Sequence, residues 1–355
     1  MKIKTTAVES SRISEVDFDN LEFGKVFSDH MIDMQYKNGE WGTPQIKPYG
    51  PISFHPSMHA LHYGQAVFEG MKAYYVNENT INLFRLDDHY ERICNSSERM
   101  SIPKLEKDAF IGSLIDLIKI DHEWVPKTPG HALYLRPFIF ASQEYIAARA
   151  ATEYRYIAIT SPVAAYYKEG FNPVSLTTSE NYVRAVKGGT GEAKAAGNYG
   201  GSFLPARKAQ EKGYTQVLWL DAIENKYVEE VGTMNIFFLI GDRLVTPPLS
   251  GTVLPGITRK SVIRLAKDWG VNVEERRISI DEVFDEYKSG NLKEVFGSGT
   301  AAVISPVGLI HHKGENLELD REKIGPFAKK LYDEITGIQY GKREDTFGWI
   351  TPVKV

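Results

Sequence analysis

Short apolar runs separated by turn residues fill the first part of the chain. The stretches 27–36, 52–54, 61–75 and 81–84 read as strand and turn material, with a Gly/Pro-rich turn over 38–51. Two apolar runs flank the polar turn 77–80, which predicts a hairpin there. Asp87 or Asp88 then caps a helix that carries Arg92, Cys94 and Met100, and Pro103 ends it. Phe110, Leu114, Leu117 and Ile118 recur at helical spacing, so 104–120 predicts an amphipathic helix. Strands are expected at 131–140 and 154–159.

The texture changes near Pro162, Gly170 and Pro173, which mark an interdomain linker. Further elements follow: a helix at 202–212, strands at 216–220, 234–240 and 271–278, helices opening at Gly256 and Ser279, and a last helix within 320–336. Strands and helices mix without a strict βαβ rhythm, which predicts an α+β fold in two domains rather than one doubly wound sheet. The expected division is a smaller N-terminal domain over 1–165, a linker over 166–178 and a larger C-terminal domain over 179–355.

The 355 residues suffice for two domains with substantial cores. A formal net charge of -4 gives no electrostatic reason to expect nucleic acid or an anionic membrane as partner. One cysteine, Cys94, excludes an intrachain disulfide framework and a multi-cysteine zinc site, and no metal is expected. The first residues lack the apolar core of a signal peptide, and no apolar run approaches membrane-spanning length, so a cytoplasmic enzyme is expected.

The candidate chemistry centres on Lys194, set among glycines and alanines in 184–201. Small neighbours let the backbone approach a flat ligand and remove carboxylates that would hold the amine as a solvated ammonium. Such an amine can attack a carbonyl and form a Schiff base. An ordinary exposed lysine in a flexible glycine loop is the competing reading. Two glycine turns, Gly256-Ile257-Thr258 before a helix and Gly297-Ser298-Gly299-Thr300 after a strand, suit a lone phosphate monoester. In the strand Glu229-Glu230-Val231, alternation lets only one glutamate point inward, where it needs a proton or a cationic partner such as a protonated pyridine.

Lysine, phosphate turns, carboxylate and arginine together describe a pyridoxal phosphate site. The strings at 194–200, 230–235, 254–259 and 296–301, with those at 24–30, 68–73 and 134–137, resemble the signatures of branched-chain amino acid aminotransferases, in order and at family spacing. The resemblance implies a fold-type IV pyridoxal 5'-phosphate enzyme, a two-domain homodimer with its site at the domain boundary. It implies transamination of L-leucine, L-isoleucine and L-valine with 2-oxoglutarate, giving branched 2-oxo acids and L-glutamate. By position, Lys194 forms the Schiff base and shuttles the proton, Tyr199 bonds the cofactor's 3-oxygen, and Glu230 rather than Glu229 pairs with the pyridine nitrogen. Arg92 binds phosphate with the amides of Ile257, Thr258 and Thr300, and Thr233 supports the site from the ring side. The substrate pocket carried over comprises Phe27, Tyr63, Phe68, Tyr134 and Tyr166, with Arg136 and the amides of Thr300 and Ala301 near the carboxylate. Ile146 and Ala148 are expected to reach the partner subunit's site.

Where mammalian members carry a redox-sensitive cysteine pair, this chain has Ala302 and Ser305, so thiol regulation of that kind is not expected. D-amino acid aminotransferases and a lyase that makes 4-aminobenzoate share the fold, the lysine and the glutamate. Length and the aromatic first domain favour the branched-chain reading. A catalytically silent phosphate binder would need neither Lys194 nor Glu230.

Overall fold

The computed structural model describes residues 3–164, 172–320 and 322–355. The chain divides into two compact units: Met1–Tyr166 with Ala193–Gly197 and Gly337–Val355, and Tyr167–Glu192 with Asn198–Thr336.

The first unit is built on a ten-stranded, mainly antiparallel sheet. Its order runs Lys4–Thr5, Gln45–Pro48, His30–Lys37, Tyr154–Val163, Ala132–Ala141, Met71–Asn77, Thr80–Phe84 and Ile350–Lys354, with Glu40–Trp41 and Ala66–Phe68 pairing from the side. The expected hairpin is present, with Ala73 opposite Leu83 and Tyr75 opposite Ile81. Helices Leu86–Arg99 and Lys107–Ile120 cover the sheet. Leu86, Ile93, Phe110, Leu114, Leu117 and Ile118 share one core with Ile32, Met34, Met71, Leu83, Leu133 and Leu135. Each such fully buried side chain contributes about 1.5–3 kcal/mol.

The start of the first helix differs from expectation. Its N-cap is Arg85, in a left-handed conformation at φ 55°, and no side chain caps the first amides. Asp87 and Asp88 lie in the first turn instead, where the helix dipole favours acids, and Asp88 accepts from Arg85 Nε at 2.7 Å. The helix also ends at Arg99, ahead of Pro103.

The second unit carries a nine-stranded mixed sheet. The order is Val228–Val231, Gln216–Leu220, Val174–Thr178, Val303–His312, Leu292–Gly299, Asn235–Ile240, Arg243–Thr246 and Asn272–Glu275, with Glu315–Glu318 alongside Val303–His312. Val174–Thr178 runs parallel to both neighbours, and most other pairs are antiparallel. Helices Phe203–Glu211, Ile257–Asp268 and Ile280–Lys288 belong to this unit. Ser279 caps the last of these by accepting the Glu282 N–H at 3.0 Å. Both units are thus α+β, as the pattern implied. The strand expected at 271–278 is shorter, Asn272–Glu275.

Candidate active site

In the first unit, Lys194 is fixed by its backbone. The Phe68 N–H donates to the Lys194 carbonyl at 3.1 Å, the Lys194 N–H donates to Ser96 Oγ at 2.9 Å, and Val67 bridges Ala195. Lys194 Nζ lies 4.8 Å from the centre of the Phe68 ring.

The residue after Phe68 is a carboxylate with no exposure at all, Glu69. Arg92 donates to it twice, Nε to Oε1 at 2.7 Å and Nη2 to Oε2 at 2.8 Å, and His89 Nδ1 donates to Oε2 at 2.7 Å. Burial pushes the Glu69 carboxyl up, but the charge and hydrogen bonds of Arg92, joined by His89, outweigh it and hold the group well below the usual carboxylate range. Burial lowers the His89 ring below its ordinary value, against the pull of Glu69.

Arg136 carries the next layer. Its guanidinium carbon lies 4.7 Å from the Phe68 ring centre and 5.3 Å from that of Tyr134, and Nη2 donates to the Tyr134 hydroxyl at 2.8 Å. Arg136 Nε is buried without a hydrogen-bond partner. Gly70 is required here, because a Cβ on it would lie 2.0 Å from the Tyr134 hydroxyl oxygen. Phe68, Tyr134, Arg136 and Lys194 therefore form one group. Phe27 stacks on Tyr49, Tyr63 packs against His59 and His62, and Ile146 and Ala148 are exposed. Tyr166 lies outside the described residues.

In the second unit, Glu230 is the hub. Arg184 Nε pairs with Glu230 Oε2 at 2.7 Å, while Oε1 accepts the Leu254 N–H at 2.6 Å and Asn235 Nδ2 at 3.3 Å. Arg184 Nη1 also donates to the Thr252 carbonyl at 2.6 Å, and Nη2 to that of Gly191 at 3.2 Å. A Cβ on Gly191 would fall 2.6 Å from the Thr252 oxygen, so a glycine admits this approach. A small cleft is lined by Arg184, Asn198, Tyr199, Ser202, Glu230, Gly232, Thr233 and Leu254. It collects three expected residues: Tyr199, Glu230 and Thr233.

The expectation that only one glutamate of the pair points inward needs correcting. The two do face opposite ways, yet both are buried, because all of Val228–Val231 is covered on both faces. Glu229 Oε1 accepts the Thr252 hydroxyl at 2.5 Å, its Oε2 has no hydrogen-bond partner, and burial pushes its carboxyl up.

The glycine turns sit close to this hub. Gly256 precedes helix Ile257–Asp268 and offers no side-chain cap to its first amides, and Ile257 and Thr258 are buried. A Cβ on Gly256 would meet Asn235 Oδ1 at 1.9 Å. Asn235 in turn registers opposite Ser298, between Gly297 and Gly299, with Thr300 and Ala301 in the turn beyond. Sequence patterns alone give Arg184 and Asn235 no role and pass over Glu69, His89 and Ser96. The available signal is a lone carboxylate at 69, directly after the apolar run 66–68, where an unpaired charge is costly. Lys72, on the strand opposite Tyr134, is also unmarked by pattern; burial lowers its amine to about 8.

The first unit thus holds a backbone-fixed lysine, and the second, separately, a buried arginine-held carboxylate and uncapped helix amides. The sequence matches the family model for amino-transferase class IV over residues 66–310, and the chain belongs to that family. It is 49% identical to branched-chain-amino-acid aminotransferase 2 of Bacillus subtilis (strain 168), over 99% of this chain and 98% of the relative. The branched-chain amino acid aminotransferase of Escherichia coli superposes with a TM-score of 0.73 at 30% identity, covering 90% of this chain and 98% of that one. A further structure, the T.th. branched-chain amino acid aminotransferase complexed with N-(5'-phosphopyridoxyl)-L-glutamate, gives 0.69 at 27% identity, covering 90% and 97%.

Proposed function

We propose that this chain is a pyridoxal 5'-phosphate-dependent aminotransferase that exchanges the amino group of L-leucine, L-isoleucine or L-valine with 2-oxoglutarate. The observation that carries the reading is Lys194, pinned by Phe68 and Ser96 through its backbone with its amine over an aromatic ring. The ligand of the T.th. relative joins a phosphopyridoxyl group to glutamate, the product of this exchange.

The residues present fit the cofactor. Gly256 leaves the first amides of helix Ile257–Asp268 without a side-chain cap, and Glu230 is a buried carboxylate already oriented by Arg184. In the first unit Arg92 would hold the phosphate; in the second, the amides of Ile257, Thr258 and Thr300 would do so, Tyr199 would bond the 3-oxygen and Thr233 would support the ring. Bound pyridoxal phosphate supplies the carbonyl that takes up the amino group and a ring that delocalises the Cα electron pair. Glu230 would hold a proton at the ring nitrogen. Lys194 Nζ would take the proton from substrate Cα and deliver it to the former carbonyl carbon of the cofactor.

Phe68 and Tyr134 present apolar surface to a branched side chain, and the resemblance adds Phe27 and Tyr63 to that pocket. Burying such a side chain gains about 1.5–3 kcal/mol, whereas a charged one is stranded. The orphan Arg136 Nε donates to a carboxylate together with the Thr300 and Ala301 amides. We further assign the chain to a homodimer, as the family resemblance implies. Cytoplasmic residence agrees with the fact that no helix among the described residues is long and apolar enough to cross a membrane.

The test is an absorbance spectrum of the protein charged with pyridoxal phosphate. A visible band that moves to the near-ultraviolet with L-leucine and returns with 2-oxoglutarate is expected. A response to D-alanine alone would instead make it a D-amino acid enzyme. In Lys194→Ala the cofactor binds without the Schiff-base band and turnover is lost; wild-type turnover would refute the assignment.

A further inference from the structure

Glu69 is a fully buried carboxylate with no part in the chemistry described above, which calls for an explanation. Its two oxygens receive Arg92 Nε, Arg92 Nη2, His89 Nδ1 and the Gly70 N–H. A guanidinium is planar, so a grip on Nε and Nη2 fixes the direction of all five of its donors. The same short stretch also fixes Lys194. Phe68 holds the lysine carbonyl, and Ser96, one helical turn beyond Arg92 on the same helix, holds its N–H. Residues 68–69 and the pair Arg92 and Ser96 therefore make a closed frame that sets the lysine backbone and the arginine plane together.

We propose that Glu69, backed by His89, is a positioning residue that orients Arg92 toward the cofactor's phosphate. This rests on the reading of Arg92 as a phosphate ligand. A carboxylate beside that arginine offsets part of its charge, so its contribution is preorganisation: the arginine's rotamer freedom is already lost before the phosphate arrives. His89 donates from Nδ1 as a neutral ring and so secures Oε2 without adding a second cation beside Arg92.

The test compares two aldehydes that differ only in the phosphate, pyridoxal 5'-phosphate and pyridoxal. Dissociation constants for both are measured by spectral titration of the full-length protein, as wild type, Glu69→Gln, Arg92→Gln and the double variant. Glu69→Gln is expected to weaken pyridoxal phosphate by roughly tenfold, the scale of losing a buried outer partner, and pyridoxal by less than about twofold. On the Arg92→Gln background it should add nothing. Equal weakening of both aldehydes, or a full additional loss in the double variant, overturns the proposal. If Arg92→Gln leaves the preference for the phosphorylated aldehyde intact, the phosphate reading of Arg92 itself fails. If Arg92→Gln abolishes that preference and Glu69→Gln does not alter it, only the positioning role fails. Should Glu69→Gln not fold, His89→Leu takes its place, since it keeps the Arg92–Glu69 pair. A selective loss for pyridoxal phosphate is again expected, and an unchanged preference overturns the proposal.

Discussion

Arg184 Nε stands 2.7 Å from Glu230 Oε2, with the glutamate buried and the arginine side chain nearly so. One guanidinium thereby anchors the carboxylate and, through the carbonyls of Thr252 and Gly191, the two loops on either side of it. Replacing Arg184 with Met strands the Glu230 charge with Leu254 N–H and Asn235. The expected loss is about 3–5 kcal/mol, the usual result of removing one member of a buried ion pair. Urea unfolding of the cofactor-free protein measures it; a loss below about 1 kcal/mol would mean that the pair is dispensable.

The neighbouring carboxylate should behave in the opposite way. Glu229 has its pKa raised by burial, so the folded state resists its ionisation. A raised acid contributes stability below its unfolded pKa, and that contribution is lost as pH rises through the folded value. Glu229→Gln keeps an acceptor for Thr252 and removes the buried charge. It is expected to stabilise the protein by about 1 kcal/mol at pH 7, with the gain vanishing below about pH 4. Melting curves at both pH values decide the matter, and destabilisation at pH 7 would contradict it.

Asp33 tests the reverse sign. Burial raises its carboxyl, but hydrogen bonds from Arg155 and Lys47 prevail and hold it below the ordinary 3.8. Its contribution is present above the unfolded value and disappears as pH falls through the folded one. Melting temperature should therefore hold steady from pH 8 to about 5 and drop on further acidification. Asp33→Asn should flatten part of that acid limb; an unchanged limb would leave the drop to Glu69, Asp29 and Asp221, whose carboxyls are also held low.

Gly70→Ala probes the pocket. The new methyl would sit 2.0 Å from the Tyr134 hydroxyl oxygen and 2.9 Å from its ring carbon Cζ, so Tyr134 must move and its bond from Arg136 is lost. An overpacking cost of about 1–3 kcal/mol is expected. In steady-state assays kcat/KM for L-leucine should fall by roughly tenfold or more, because the substrate is no longer correctly seated. Unaltered kinetics would place Tyr134 outside the pocket.

Much of the fold was legible because it rests on local periodicity. The hairpin around 77–80, the helix holding Phe110 and Leu117, and the helix opened by Gly256 all follow from spacing within a dozen residues. Its small neighbours marked Lys194, and family resemblance supplied Tyr199, Thr233 and the choice of Glu230 over Glu229. What stayed hidden depends on contacts distant in sequence. Glu229 looked solvent-facing because alternation says nothing about a second buried face of the sheet. Arg85 adopts a left-handed cap that its residue type does not favour, with Asp88 tying down its side chain. The Glu69–Arg92 pair spans 23 positions and leaves no periodic trace.

The path of the chain gives Lys194 an unusual allegiance. Tyr167–Glu192 belong to the second unit, Ala193–Gly197 to the first, and Asn198–Thr336 to the second again. Lys194 is thus lent to a scaffold from which it is remote in sequence, and the closing strand Ile350–Lys354 returns to that same scaffold. Neither unit exists as an uninterrupted length of polypeptide. Truncation after residue 164 yields a sheet missing its last edge and the Lys194 segment together, so the two units cannot be separated by cutting the chain once.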